Sequence, residues 1–234
     1  MSPSLDGRMG IHMNFDELVA LIKQNGIVGA GGAGFPTYAK LDKRADTIIL
    51  NCAECEPLLK LHRQILERYA YEILSTLDLI AKTIGAKDVI IGVKGSYTGA
   101  VDAVEQYIGS FDHIRIQKLR EIYPAGDEIV LIYQTTGRRP NPGALPISVG
   151  VTVFNVETIY NVYRALNGDP VTHKFVTVAG EVSGRTAKRF CCCTTSRIPS
   201  TQASRPRNCG RSSSRVWSRP APMPSSPFCI RRAS

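Results

Sequence analysis

The last fifty residues of this 234-residue chain carry no acidic side chain, and they hold 11 of its 29 Lys and Arg. Residues 1–184 hold the other 18 basic residues against all 20 acids, a net charge of −2. The overall +9 therefore belongs to the tail, and the main domain lacks the uniformly basic surface of a nucleic-acid binder. No apolar run comes near the roughly 18 residues of a membrane-crossing helix. The N-terminal MSPSLDGRMGIHMNFDEL has no apolar stretch of secretory-signal length, so the chain reads as cytoplasmic. Cysteine is scarce before residue 190, with only Cys52 and Cys55, and no spacing suggests a disulfide framework. No C-x-x-C-x-x-C run of an iron–sulfur site occurs in these residues. His12, His62, His113 and His173 are scattered, so no metal site is expected and each reads as an ordinary surface or core residue.

What is present is a regular alternation of elements. Asn14 with Glu17 forms a capping box ahead of an amphipathic helix, and a glycine-rich loop runs from Gly26 to Thr37. Buried strands are predicted at 47–50 and 88–93, and further strands at 114–119, 151–154 and 175–182. Helices are predicted at 61–84 (stopped by Gly85), 97–108, 127–136 and 156–166. Strands separated by helices of ten or more residues imply right-handed crossovers, hence an α/β fold with a mostly parallel sheet and flanking helices. The domain is expected over residues 14–184, after an extension at 1–13. Residues 185–234 are rich in Ser, Pro and Arg and lack periodicity, so they are expected to be disordered. A basic binding arm is one reading of this tail; translation in a non-native frame fits its composition better.

Four segments carry candidate chemistry. In IVGAGGAGFPTYAKL, Gly29, Gly31 and Gly34 match G-x-G-x-x-G, but a helix rather than a strand precedes the loop, which weakens a dinucleotide fingerprint. Its glycines, with Gly32, still let backbone amides approach a phosphate or an electron-rich ring; Pro36 suits the start of a helix, and Lys40 adds positive charge. NCAECEP follows a buried strand, where ligands bind in open α/β sheets, and supplies Asn51, Glu54 and Glu56. Its Cys52-x-x-Cys55 leaves open a thiol-redox reading, which the neighbouring carboxylates disfavour. YPAGDE offers an aromatic ring and carboxylates, or a turn capped by Asp127. FNVET offers Asn155 as either a helix cap or a phosphate contact.

In this order the four motifs resemble the FMN- and NADH-binding domain of the respiratory complex I flavin subunit. They are also similar to the C-type component of Rnf electron-transport complexes, and NCAECEPLLK, YPAGDE, TGRR and ALPISVGV look most like the cobalamin reductases of propanediol-utilising microcompartments. The resemblance covers about residues 15–182. It implies hydride transfer from NADH to FMN, then single electrons onward through 4Fe-4S clusters to cobalamin, ferredoxin or another redox partner, in the cytoplasm or peripheral to a membrane or microcompartment complex. It implies that Gly29, Gly31, Gly32 and Lys40 cradle FMN, with Gly34 in the same loop, and that Asn51 and Glu54 meet its ring and ribityl region. Phe35 and Glu56 fall on the nicotinamide side; Tyr123, Gly126, Asp127 and Glu128 form the shared wall; Asn155 lies near the phosphate. Glu54, Glu56 and Glu128 are the catalytic candidates. Phe154 stands where complex I usually has a second Asn, and the cluster domains of such relatives have no counterpart in this sequence. A non-catalytic flavin-binding module and nucleic-acid binding through the tail are the alternatives.

Overall fold

In the computed structural model, residues 13–32, 34–56 and 58–177 are described, together with the backbone of 187–191. The chain divides into two units, Met1–Val171 and Thr172–Ser234.

The first unit is built on a four-stranded parallel sheet in the order β3-β2-β1-β4, from β1 (Thr47–Cys52), β2 (Asp88–Lys94), β3 (Ile114–Leu119) and β4 (Val151–Asn155). Successive side chains on a strand alternate faces, so near-continuous Ile/Val/Leu runs imply cover on both. On one face Ile49, Ile90, Val151 and Val153 pack with Leu131 and Ile132 of α5 (Glu128–Thr136). On the other face lie α3 (Ala70–Ile84), in contact with β2, and α6 (Val156–Leu166), in contact with β1 and β4. α1 (Phe15–Gln24) and α4 (Thr98–Ile108) complete this layer against α6 and α3. The fold class is the α/β one expected.

Local signals explain most boundaries. Asn14 and Glu17 form the reciprocal capping box of α1, Asp127 caps α5 by accepting from the Ile129 and Val130 N–H groups, and Gly85 ends α3 at φ +81°. The stretch 61–84, expected as one helix, is two: α2 (Leu61–Arg68) and α3 break at Tyr69, where φ is −129° and ψ 37°. The Tyr69 ring stacks on Tyr160 of α6 with centroids 4.3 Å apart. The break lets α2 and α3 each pack on both α4 and α6, a tertiary gain that helical periodicity does not encode.

The second unit contains an antiparallel pair, β5 (His173–Thr177) with β6 (Ala187–Cys191). The last predicted strand therefore begins at 173 and pairs outside the parallel sheet, and its residues 178–182 lie outside the described residues. β6 falls in the segment expected to be disordered. A hairpin asks only for two extended backbones, and AKRFC supplies one whatever its charge. The rest of the tail lies outside the described residues.

Candidate functional site

The glycine loop is held at its neck. The Gly29 N–H donates to Phe35 O at 2.8 Å, Thr37 N–H donates to Ile27 O at 3.3 Å, and Gly34 turns at φ +73°. The Ala30 N–H reaches Thr158 Oγ1 in the first turn of α6 at 2.9 Å, which ties the loop across the sheet edge. The missing side chains of the loop matter unequally. A Cβ on Gly31 would collide with the Asn155 side-chain amide, whereas one on Gly32 would meet nothing within 4 Å. Pro36 leads into a single 3-10 turn, Thr37–Lys40, rather than an α-helix, so the helix start that faces the loop is that of α6.

β1 has β2 on one side and β4 on the other, so the chain's winding reverses between β1 and β4. Such a switch point leaves a crevice beyond the strand ends, because the two following connections diverge. Asn51 and Asn155 are register partners at those ends. Here lies an open cavity of about 260 Å³, and it brings together nine predicted site residues: Gly29, Gly31, Gly32, Gly34, Phe35, Lys40, Asn51, Glu128 and Asn155. Thr37, Val153, Phe154 and Thr158 also line it. Phe154 and Thr158 stand within FNVET, but the sequence assigned neither a role. Thr37 gave no signal: its hydroxyl is buried and has no hydrogen-bond partner.

The polar groups of the cavity are already organised. Lys40 Nζ donates to Val153 O at 2.9 Å and sits 3.4 Å from Glu128 Oε1, so a cation and a carboxylate face each other across the floor. Asn51 Nδ2 donates to Gly126 O at 2.9 Å and its Oδ1 accepts from the Ala53 N–H at 3.0 Å, which fixes its amide. Asn155 caps α6 by accepting from the Glu157 N–H.

Five predicted residues are absent from the lining. Gly126 stands behind Asn51, in a place where any Cβ would collide with Ala53 O, and Asp127 is occupied as the α5 cap. Glu56 and Tyr123 are exposed, Tyr123 to 79%. Glu54 is 3% exposed and turns to the start of α2, where its carboxylate accepts from the His62 N–H at 3.0 Å. The physical reason is the set of unpaired N–H groups at a helix start, which attracts a carboxylate when no side-chain cap is present. Burial raises the Glu54 carboxyl above its ordinary range, opposed by the His62 N–H and by Arg63. The Glu54 backbone is pinned as well, since Lys94 Nζ donates to its carbonyl at 2.6 Å. Arg63 lies over the Tyr97 ring, and burial, then Glu54, pushes the Tyr97 hydroxyl up to about 12. Cys52 is fully buried and its thiol is pushed well up by that burial, the opposite of an activated thiolate. No metal-binding group occurs among the described residues, and no described helix is long and apolar enough to cross a membrane.

A parallel sheet that opens at its switch point onto loop amides and paired asparagines is the architecture of a mononucleotide-binding domain. The chain belongs to one family of these: residues 22–164 match the Nuo51 FMN-binding domain. Cobalamin reductase PduS of Salmonella typhimurium is 40% identical over 172 residues, covering 73% of this chain and 38% of that protein. A component of the Na(+)-translocating ferredoxin:NAD(+) oxidoreductase complex of Acetobacterium woodii is 36% identical over 174 residues, covering 72% of this chain and 39% of its own length. An NAD+-reducing NiFe hydrogenase in its H2-reduced state shares the fold, with a TM-score of 0.66 at 24% identity over 76% of this chain and 37% of that one. The chain thus spans under two-fifths of the length of these relatives.

Proposed function

We propose that residues 14–184 are the FMN-binding, NADH-linked electron-transfer domain of a flavoprotein. The observation that carries this is the switch-point cavity, with Gly31 and Asn155 in near contact and Lys40 and Glu128 across its floor. Two features fit a polar, electron-rich ligand: the loop approach that only a glycine at 31 allows, and the buried Thr37 hydroxyl without a partner. Gly29, Gly31, Gly32, Gly34 and Asn155 would hold the phosphate and ribityl end. Asn51, Lys40 and Thr37 would hold the ring. Two of the three Lys40 ammonium donors are engaged within the protein. Bound FMN supplies the conversion between a two-electron hydride donor and single-electron acceptors.

Phe35, 44% exposed at the rim, offers a face on which a nicotinamide can lie, and Glu128 an acceptor for its amide. Tyr123 and Glu56, exposed beyond the cavity, are available to the rest of the dinucleotide. Glu54 and Gly126 hold the wall from behind, and Asp127 fixes the start of the helix that carries Glu128. The relatives, a cobalamin reductase and part of a ferredoxin:NAD(+) oxidoreductase, support a corrinoid or a ferredoxin-type protein as the onward acceptor, with 4Fe-4S carriers supplied outside these residues. The test is an anaerobic visible spectrum of the FMN-loaded chain before and after NADH. A single flavin per chain, bleached by NADH, is expected. Failure to take up FMN overturns the reading, and a loaded flavin that NADH leaves oxidised reduces the domain to a non-catalytic binding module.

A further inference from the structure

Of the described residues that line the cavity, only Lys40 and Glu128 carry charge. Lys40 is tied to β4 at both its ends. Its carbonyl accepts from Thr152 Oγ1 at 2.9 Å, and its Nζ donates to Val153 O at 2.9 Å. The ammonium is thereby held in the cavity, and one of its three N–H donors stays open. Glu128 is the first residue of α5, and its Oε1 lies 3.4 Å from that ammonium. Asp127 fixes the helix start that carries it, by accepting from the Ile129 and Val130 N–H groups. Both partners are half-buried, so water screens the pair only in part, and a ligand filling the cavity displaces more of that water.

The lining therefore sums to no net charge, and that balance bears unequally on the two states of a flavin. Addition of a hydride at N5 of the neutral oxidised ring leaves one negative charge, borne at N1. A cation beside the ring favours this reduced form, and a carboxylate that offsets the cation withdraws the favour. We infer that Glu128 is a positioning residue for Lys40, which holds the ammonium and offsets its charge, and so keeps the flavin potential low enough for electrons to leave. The inference rests on the flavin reading for the identity of the ligand, and only on geometry for the pair. Other charges at this end of the sheet lie outside the lining, among them Glu54 with Arg63 and Lys94, and Glu157, buried in the first turn of α6. They are common to wild type and variants and cancel from each comparison.

The experiment measures the two-electron midpoint potential of FMN bound to the full chain, by slow chemical reduction against a reference dye. NADH is left out, so any contact of Glu128 with the dinucleotide does not enter. Wild type is compared with Glu128→Gln, Lys40→Met and the double variant. Glu128→Gln should raise the preference for reduced over oxidised flavin by about tenfold, a rise of about 30 mV for two electrons. Lys40→Met should lower the potential. In the Lys40→Met background, the further change to Gln at 128 should shift the preference by less than about threefold, because the charge it offsets is gone. No rise in Glu128→Gln overturns the inference, and so does an equal rise in both backgrounds, which would mean that Glu128 acts on the ring directly. Should Lys40→Met take up no FMN, the potential of Glu128→Gln decides alone. Each of these outcomes leaves the flavin reading standing, whereas a wild-type chain that takes up no FMN overturns both.

Discussion

The two ends of the four-stranded sheet are built from the same strands and treat their polar groups in opposite ways. At the N-terminal end Asp46 accepts from Arg138 Nη1 and from Thr47 Oγ1, each at 2.6 Å, while Arg138 also donates to Val149 O. The Asp46 and Thr47 N–H groups share Gly150 O, and Asp46 O accepts from Lys87 and Asp88. That end is a closed set of bonds. At the C-terminal end the loop glycines stand open, the Thr37 hydroxyl is unpaired, and Asn51 and Asn155 spend their side chains fixing geometry. In a parallel sheet every crossover helix starts from the same end, so helix N-termini and glycine turns gather there. Stability is concentrated at one end and ligand chemistry at the other.

The strongest way to break this comparison is at the open end. Gly31→Val should weaken FMN binding by about 100-fold, since the branched side chain must displace the Asn155 side-chain amide from its place in the cavity. Gly31 itself is exposed, so the melting temperature should fall by no more than the few degrees that loss of the Asn155 cap on α6 would cost. Titration of flavin absorbance together with a thermal melt checks both halves, and a large loss of stability would show that the loop belongs to the core. The site next to it sharpens the point. Gly126→Ala places a Cβ against the Ala53 carbonyl and should cost about 2 kcal/mol of stability, read by urea denaturation. An unchanged midpoint would mean that the wall behind Asn51 yields freely.

Much of this was legible because it is local. Periodicity located all four strands of the parallel sheet, and the capping residues Asn14, Asp127 and Asn155 sat where their helices began. Nine of the predicted site residues converge because glycine loops and strand-end asparagines declare themselves in sequence. The rest depended on tertiary neighbours. The break at Tyr69 follows from stacking on Tyr160, more than ninety residues away, and the turning of Glu54 follows from unpaired amides at the start of α2. Gly31 and Gly32 look equivalent in AGGAG, yet only Gly31 faces Asn155. His62 looks like any scattered histidine until β4 brings Asn155 beside it.

At the closed end the expected effect is smaller and falls on stability alone. Arg138→Ala removes the bonds to Asp46 and Val149, and should lower the melting temperature by a few degrees while leaving flavin affinity unchanged. The side chains of Arg138 and Asp46 are 38% and 46% exposed, so screening by water holds the loss to about 1 kcal/mol or less. A change in flavin Kd beyond twofold would couple the two ends and undo their separation.

The smallest effect separates burial from bonding at Glu54, which is buried outside the cavity lining and turns its carboxyl to the start of α2. Burial is the largest influence on its carboxyl and raises the pKa in the folded state above the ordinary value of 4.5. A raised folded pKa means that the protonated form is the one folding favours. The stability this contributes is fully present below about pH 4.5 and is lost as pH rises through the raised folded value. Asp46, held below its ordinary 3.8 by Arg138 first, contributes in the other direction, with stability that is lost as pH falls. The wild-type profile mixes the two, so the measurement is the difference in unfolding free energy between wild type and Glu54→Gln at each pH. Glutamine keeps an oxygen for the His62 N–H and has no proton to lose. That difference should move in favour of the variant as pH rises from about 4.5 and then level off above the folded pKa. A flat difference would mean that the α2 amides fully offset burial. A difference moving toward the wild type would show that Glu54 binds more tightly as a carboxylate than its burial disfavours it.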